Sequence, residues 1–249
     1  MSIVRRDFLA HTGAGMAAGL ITGSLGSQAR ATSAAVPRGA VAPAPGDWGA
    51  VRGLFDLSPD YVYLTGLLLS SHPRPVREAI DAHRRGLDAN PALYMHDHEH
   101  PDENIARQRA AEYLAVQPGE IALTDSTTMG VGLLYGGLNV RPDQEIVTTT
   151  HDHFVTHETL RLRQVRSGTA VRKIKLYDDP ARVTEDQIAA AVQRGIGPKT
   201  RALAVTWVHS CTGVKLPIRR IASVVAAANA NRAEADRVLL CVDGVHGFG

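Results

Sequence analysis

Residues 238–246 read VLLCVDGVH, five apolar residues that run directly into an aspartate and a glycine. A short apolar run bounded by turn residues is typical of a strand buried on both faces. Further strands are predicted at 145–149, 171–176 and 201–207. They alternate with segments of helical spacing at 153–165, 184–194 and 217–228. Such alternation predicts a three-layer α/β fold, a mostly parallel sheet with helices on both faces.

Further elements are predicted before this region. Helical spacing predicts helices at 73–87 and 103–114, the first with a proline near its start. The short apolar stretch at 120–124 predicts a strand. The apolar segment after it predicts a helix that reaches about Leu138. The folded part is therefore expected to begin near Trp48.

Polar side chains follow four of the predicted strands at the point where each strand ends. The four clusters are Ser126-Thr127-Thr128, His151-Asp152-His153, His209-Ser210-Cys211-Thr212 and Asp243-Gly244-Val245-His246. In parallel α/β sheets, ligands bind beyond the carboxyl ends of the strands. We therefore expect the four clusters to share one edge of the sheet and to form a binding site there.

Two of the clusters indicate particular chemistry. Ser126, Thr127 and Thr128 precede a predicted helix, whose free N–H groups and dipole favour a phosphate, although capping alone would explain one hydroxyl. Asp243 is expected at the floor of the cleft, where a carboxylate would keep a heteroaromatic nitrogen protonated. A turn or cap aspartate is the alternative for that position.

The order and approximate spacing of four segments resemble the class V aminotransferases, a family similar to cysteine desulfurases and isopenicillin N epimerase-like proteins. The segments are Thr124–Gly130, His151–His153, His209–Gly213 and Val242–His246. The stretch from Leu64 to Asn90 also looks like the epimerase-like members. The resemblance covers most of the chain after residue 48 and implies the large domain of a fold type I enzyme that uses pyridoxal 5'-phosphate.

The resemblance also implies roles for individual residues. Ser126, Thr127 and Thr128 match the loop that binds the cofactor phosphate, and His153 matches the residue that stacks on the pyridine ring. Ser210 matches a polar residue near the phenolic oxygen of the cofactor. Asp243 matches the partner of the pyridinium nitrogen. His246 stands where desulfurases have a glutamine that bonds the same oxygen, so it keeps a donor and adds a titratable group.

The Schiff-base lysine of the family lies a short stretch beyond the aspartate, and these 249 residues end before that point. The lysines present are Lys173, Lys175, Lys199 and Lys215. Lys215 lies nearest the predicted site, but the family pattern does not support it. We expect a chain truncated before the lysine, with the C-terminal part of the domain missing, no catalytic residue to assign, and little or no activity of its own.

The N-terminus has the features of a twin-arginine export signal. Arg5 and Arg6 precede a Gly- and Ala-rich apolar stretch, and Ala29-Arg30-Ala31 offers small residues for cleavage. A membrane anchor is the alternative, but the apolar stretch is short and interrupted by Gly, Ser and Thr. We therefore predict a signal peptide at 1–31, a linker at 32–47, a domain at 48–249, and a periplasmic or extracellular location.

Charge and cysteine content limit the partners. The net charge is +2 for the whole chain. The signal segment carries Arg5, Arg6 and Arg30 against Asp7, so the remainder is near neutral. Neither a nucleic acid nor an anionic membrane is therefore expected as a partner. Cys211 and Cys241 sit in apolar runs and are predicted to be two buried thiols, with a single disulfide as the alternative.

Two histidine clusters contain metal-ligand residue types. His96, His98 and His100 would share one side of an extended chain, but the stretch precedes Pro101 and is expected to be a solvated loop. His151, His153 and His157 form the second cluster, in which the family match gives His153 a different role. We assign no metal site, and the roles of His96, His98 and His100 stay open.

The leading hypothesis is a pyridoxal-phosphate-dependent enzyme that acts on a small amino acid or amine by transamination or epimerisation. Desulfuration is less favoured, because Cys211 does not match the mobile catalytic cysteine of desulfurases. A homodimer is expected for the full-length protein, because family members pair with cofactor sites at the subunit interface. The alternative is a non-catalytic exported binding protein, or a decayed gene product with the same fold.

Overall fold

The structure is a computed structural model that describes residues 43–64, 66 and 69–248. The predicted signal peptide at 1–31 and most of the predicted linker lie outside the described residues. The chain divides into two compact units, Met1–Val62 with Ser71–Glu99, and Tyr63–Ser70 with His100–Gly249. No helix among the described residues combines the length and the apolar composition needed to cross a membrane.

The first unit is helical in its described part. It contains helices α1 (Trp48–Arg52) and α2 (Arg74–Ala89), and α3 (Pro91–Leu114) begins within it. Arg77 on α2 donates to the carbonyl of His72 at 2.7 Å and to the carboxylate of Asp56 at 2.6 Å. These bonds fix the segments that precede α2.

Helix α3 is longer than predicted, because it includes the stretch from Pro91 that was expected to be a loop. Pro101 lies inside the helix. A proline removes one backbone donor and crowds the preceding turn, but the ladder on either side keeps its remaining hydrogen bonds. Pro101 therefore does not end the helix, and the loop prediction is wrong.

The histidines of α3 do not share one side of the chain. In a helix, residues four apart lie on one face, so His96 and His100 face one way and His98 another. The ring of His98 stacks on Tyr94 with 4.0 Å between centroids, and Nδ1 of His96 lies 3.0 Å from a carboxylate oxygen of Asp97. The one-sided arrangement that extended structure would give is absent.

The second unit is built on a parallel sheet of four strands. They are β1 (Glu145–Thr149), β2 (Ala170–Ile174), β3 (Thr200–Thr206) and β4 (Leu239–Asp243). The order across the sheet is β2-β1-β3-β4, and every pairing is parallel. The predicted parallel sheet is thus confirmed.

Helices cover both faces of this sheet, and each face has its own hydrophobic core. The helices are α4 (Thr127–Gly137), α5 (Phe154–Ser167), α6 (Glu185–Gly195) and α7 (Ile218–Asn229). Alternate residues of β3 point to opposite faces. Leu203 packs in the core that contains residues of α6 and α7, and Ala204 packs in the core that contains residues of α4 and α5. The three-layer α/β prediction is confirmed.

The predicted strand at 120–124 is wrong. Pro118–Glu120 is a 3-10 turn closed by a capping box between Gln117 and Glu120, and residues 121–125 join no strand of the described sheet. Leu123 is exposed. A short apolar run does not by itself specify a pairing partner, and tertiary context decides whether it becomes a strand.

Candidate functional site

Helix α4 starts at the carboxyl edge of the sheet. Arg163, late in α5, donates to the carbonyl oxygens of Tyr135 and Leu138 at the end of α4, the latter at 2.7 Å. Arg201, early in β3, donates to the carbonyl of Asn139 at 3.4 Å. The C-terminus of α4 therefore lies at the amino edge. Its 11 residues, about 16 Å of helix, return its N-terminus to the carboxyl edge.

The predicted phosphate loop is the N-terminus of α4. Ser126 is the N-cap, and its hydroxyl accepts the N–H of Met129 at 3.1 Å. Thr127 and Thr128 are the first two helical residues, so their N–H groups have no acceptor within the helix, and both residues are exposed. Ser126 therefore acts as a cap, while the hydroxyls and N–H groups of the two threonines are placed to receive an anion.

His153 lies where β1 passes into α5. It is the N-cap of α5, and its Nδ1 accepts the N–H of Val155 at 3.4 Å. The N–H of His153 itself donates to Oγ1 of Thr206, the last residue of β3, at 3.4 Å. The half-buried imidazole is therefore held from two sides at the carboxyl edge.

Asp243 ends β4 beside the end of β3. It pairs in register with Thr206, its carbonyl accepts the N–H of Trp207 at 2.8 Å, and it is only 7% exposed. Its Oδ1 accepts the N–H of Val245 at 3.1 Å, which is the turn role that the sequence left open. Within the described residues Oδ2 accepts no hydrogen bond, so one carboxylate oxygen remains for a ligand donor.

Ser210 and His246 meet directly. Nε2 of His246 lies 3.0 Å from Oγ of Ser210. The loop that presents Ser210 is closed by an antiparallel bridge between Val208 and Lys215, and the N–H of His209 donates to Val214 at 3.0 Å. The two residues that resemblance places at the same cofactor oxygen are thus neighbours in space.

The structure joins the predicted site residues in two groups at the carboxyl edge. Thr206 links His153 to the end of β4 that carries Asp243, and Ser210 contacts His246. The N-terminus of α4 lies at the same edge, and among the described residues no hydrogen bond joins it to the other clusters.

Asp152 belongs to one of the four polar clusters, but the sequence did not indicate a role for it. Its carboxylate accepts bonds from the hydroxyl of Thr148, the N–H of Thr149 and the N–H of Thr206, each at 2.6 Å. The residue is 7% exposed. Its position directly after β1 was the only sequence signal, because the acceptor role depends on how β3 lies beside β1.

A second missed group lies behind the loop of Ser210. The hydroxyl of Tyr177 lies 2.7 Å from Nδ1 of His209 and 2.9 Å from the hydroxyl of Thr212. The ring of His151 stacks on Tyr177 with 3.9 Å between centroids. Burial lowers the pKa of both histidines and raises the pKa of the Tyr177 phenol. All three groups are therefore favoured in their neutral forms.

The histidines near β1 have separate structural roles. Nε2 of His157 lies 2.8 Å from the carbonyl oxygen of Thr149, and His151 stacks on Tyr177. Nε2 of His151 and Nε2 of His209 are buried and have no hydrogen-bond partner among the described residues. The three histidines His151, His153 and His157 therefore each contact different groups.

The lysines and cysteines are also placed by the structure. Lys215 lies on the loop that follows β3, with its Nζ 5.6 Å from the centre of the Trp207 ring, and Lys175 directly follows β2. Cys211 is exposed and Cys241 is buried, and both are free thiols. The prediction of two buried thiols is wrong for Cys211, because it lies in the polar loop that follows β3 and not in the apolar strand.

These residues fit a ligand that carries a phosphate and a flat heteroaromatic ring. Thr127 and Thr128 supply hydroxyls and free N–H groups at a helix N-terminus, which suits a phosphate. His153 supplies a planar ring. Oδ2 of the buried Asp243 supplies an acceptor for a protonated ring nitrogen. The donor set thus suits pyridoxal 5'-phosphate.

Comparison with known proteins agrees with this reading. The family model described as aminotransferase class-V matches residues 63–249. The chain is 27% identical over 206 residues to an isopenicillin N epimerase of Streptomyces clavuligerus, which covers 82% of this chain and 48% of that protein. It is 26% identical over 174 residues to a probable cysteine desulfurase of Halalkalibacterium halodurans, which covers 66% of this chain and 41% of that protein. The chain spans about half the length of the epimerases it matches.

Solved structures of a cystine C–S lyase and a cysteine desulfurase are also similar to this chain. The cystine C–S lyase C-DES in complex with cysteine persulfide matches with a TM-score of 0.58 and 27% identity, covering 68% of this chain and 43% of that one. The cysteine desulfurase CsdA of Escherichia coli matches in fold, with a TM-score of 0.61 and 20% identity over 80% and 49% of the two chains. The chain therefore belongs to the class V aminotransferases, a family of pyridoxal-phosphate-dependent enzymes.

Proposed function

We propose that the carboxyl edge of this sheet binds pyridoxal 5'-phosphate, and that the protein uses the cofactor to act on a small amino acid or amine by transamination or epimerisation. The supporting observation is the placement of His153 and Asp243 on either side of Thr206 at adjacent strand ends. An imidazole and a buried carboxylate are thus available to one flat ring.

Each residue has a defined task in this proposal. Thr127 and Thr128 bind the phosphate, and Ser126 fixes the first turn of α4 through its bond to Met129. His153 covers one face of the ring. Asp243 holds a proton at the ring nitrogen through Oδ2. When bound, the cofactor supplies an electron sink for bonds at the substrate α-carbon.

Ser210 and His246 complete the rim. Their side chains lie 3.0 Å apart, so one hydrogen-bonding pair can face the phenolic oxygen of the cofactor. With the cofactor bound, this pair would hold the phenolic oxygen, His153 one face of the ring and Asp243 the ring nitrogen. The substrate would then approach the face of the ring that His153 leaves open.

Titration with pyridoxal 5'-phosphate, followed by absorbance and fluorescence, tests the binding step. We expect saturable binding, competition by inorganic phosphate, and much weaker binding of pyridoxal without the phosphate. Asp243→Asn and the double variant Thr127→Ala with Thr128→Ala should each weaken binding about tenfold, the scale of one lost charge-assisted hydrogen bond.

Two variants serve as matched controls. Asp236→Asn removes an exposed carboxylate that pairs with Arg141 before β4, and Thr184→Ala removes the N-cap of α6. Neither residue belongs to the proposed site, so binding should be unchanged. If wild-type protein shows no saturable binding, or if the controls weaken it as much as Asp243→Asn, the assignment of this edge is wrong.

Exchange of the substrate α-hydrogen in deuterated water detects both reactions, because each breaks the bond to that hydrogen, and the product then distinguishes them. Transamination produces a keto acid, and epimerisation changes only the configuration at the α-carbon. The 249-residue chain is expected to show little exchange under either hypothesis, so the measurement is made on the full-length protein. There, saturable cofactor binding with no α-hydrogen exchange in any amino acid or amine supports the non-catalytic binding alternative instead.

We further propose export through a twin-arginine route and pairing with a second copy of the chain. Arg5 and Arg6 support export, and replacement of both by lysine should retain the protein in the cytoplasm.

Exposed apolar side chains on α4 and α5, among them Leu133 and Val165, support pairing. Sedimentation of the full-length protein at several concentrations measures pairing, and a monomer at every concentration would contradict it.

A further inference from the structure

The carboxylate of Asp152 crosses from β1 to β3 at the carboxyl edge. Its Oδ2 accepts the hydroxyl of Thr148 and the N–H of Thr149, and its Oδ1 accepts the N–H of Thr206, each at 2.6 Å. The side chain thus joins the last residues of two neighbouring strands where their own ladder ends.

Thr206 passes this constraint to both ring-contacting residues. Its Oγ1 accepts the N–H of His153 at 3.4 Å, and its backbone lies in register beside Asp243. The next N–H along, that of Trp207, donates to the carbonyl of Asp243 at 2.8 Å. Asp152 therefore bonds Thr206, and Thr206 in turn contacts His153 through its hydroxyl and Asp243 through its backbone pairing.

The chemistry of Asp152 suits accurate positioning better than simple stabilisation. It is 7% exposed, and no arginine, lysine or histidine among the described residues forms an ion pair with it. A buried carboxylate without a cation costs desolvation free energy that three hydrogen bonds must offset. Bonds to a charged acceptor are shorter and stiffer than bonds to a neutral one.

We propose that Asp152 is a positioning residue that, through Thr206, sets the separation between the imidazole of His153 and the carboxylate of Asp243, and thereby the affinity for pyridoxal 5'-phosphate. This inference rests on the proposed function of that edge. Asp152 touches neither cofactor nor substrate in this role and acts only through its neighbours.

The chain offers a matched control at the opposite end of the same strand. Glu145 begins β1, and its Oε1 accepts bonds from Arg172 of β2 at 2.6 Å and from Thr200 of β3 at 2.9 Å. Like Asp152, it is a largely buried carboxylate that joins neighbouring strands, but it lies at the amino edge, away from the proposed site.

The test compares the dissociation constant for pyridoxal 5'-phosphate with the melting temperature in four variants of the 249-residue chain. Asp152→Asn should raise the dissociation constant about tenfold, the scale of one lost charge-assisted bond. Glu145→Gln should lower the melting temperature as much as Asp152→Asn does, but it should change the dissociation constant less than about twofold.

The second pair of variants is at Thr206. Thr206→Val, which removes the acceptor for His153, should raise the dissociation constant about threefold, and Thr206→Ser should restore wild-type binding.

The circular dichroism of the bound cofactor gives a second readout, because it depends on the asymmetry of the groups around the ring. Unchanged binding in Asp152→Asn, or an equal rise in Glu145→Gln, overturns the positioning role while the proposed cofactor site stands. A wild-type chain that binds no pyridoxal 5'-phosphate overturns both. Should Asp152→Asn not fold, the Thr206→Val and Thr206→Ser pair decides, and equal affinities in the two overturn the role.

Discussion

Nε2 of His246 lies 3.0 Å from Oγ of Ser210, which joins two turns that are 36 residues apart in the chain. His246→Gln keeps a donor within reach of Ser210, whereas His246→Ala removes it. We expect the glutamine variant to bind pyridoxal 5'-phosphate within about twofold of wild type and the alanine variant about fivefold more weakly. Equal affinities for the two variants, measured by titration, would show that the imidazole donor contributes nothing to binding.

Gly247 lies against the ring of Trp207. A side-chain carbon at Gly247 would lie 2.4 Å from Cδ2 of Trp207, whereas one at Gly244 would lie 3.7 Å from the same ring. Gly247→Ala must therefore displace either the Trp207 ring or the turn that carries His246. We expect it to lower the free energy of unfolding by about 1–3 kcal/mol and to weaken cofactor binding.

Gly244→Ala is the matched control for that variant, because its new methyl group makes an ordinary contact. Its free energy of unfolding should stay within about 0.5 kcal/mol of wild type. Denaturant titration measures both variants, and equal losses would show that the Trp207 ring moves aside without cost.

His209 should make stability depend on pH below neutrality. It is 1% exposed, and burial lowers its pKa in the folded state. An unfolded histidine titrates near pH 6.5, so below that pH the unfolded chain takes up a proton that the folded chain does not. The contribution of His209 is therefore complete above about pH 6.5 and is lost as the pH falls towards its folded pKa.

We expect wild type to lose about 1 kcal/mol more than His209→Asn between about pH 7.5 and 5.5, measured by denaturant unfolding. Tyr177→Phe is the control, because it removes the hydroxyl that lies 2.7 Å from Nδ1 of His209 but keeps the buried imidazole. That variant should be less stable at both pH values with the pH dependence retained. An identical pH dependence in wild type and His209→Asn would contradict the assignment.

The two cysteines should differ in reactivity. Cys211 is exposed, whereas Cys241 is buried, and burial raises the pKa of the Cys241 thiol to about 11. Because the thiolate is the reactive form, a thiol reagent at neutral pH should modify one cysteine in native protein and two after denaturation. Cys211→Ser should abolish the native reaction, and a native reaction that persists in that variant would place Cys241 within reach of solvent.

Much of the fold followed from local pattern. Apolar runs such as 238–242, alternating with helical spacing, predicted a parallel sheet with helices on both faces, because a strand covered on both sides needs apolar side chains throughout. The run at 120–124 shows the limit of that reasoning. Its composition resembles that of a strand, but whether a neighbouring strand meets it depends on the rest of the chain.

Helix α3 shows a second limit. Pro101 and the polar run before it favoured a loop, yet the helix continues through the proline. A proline removes one backbone donor, and the other turns of the helix keep their hydrogen bonds, so the polar run and the proline did not end it. The spatial relation among His96, His98 and His100 changed accordingly.

The sequence alone determined which side chains would follow three of the strands, because parallel pairing places His153, Ser210 and Asp243 at one edge. Ser126 reaches that edge as the N-cap of α4 and follows no strand. Only the tertiary structure decided which of these side chains touch. Asp152 accepts the N–H of Thr206, which is 54 residues away, and His209 meets Tyr177, which is 32 residues away. Such contacts depend on the register and order of strands, which arise from packing the whole sheet and leave no signature in either local segment.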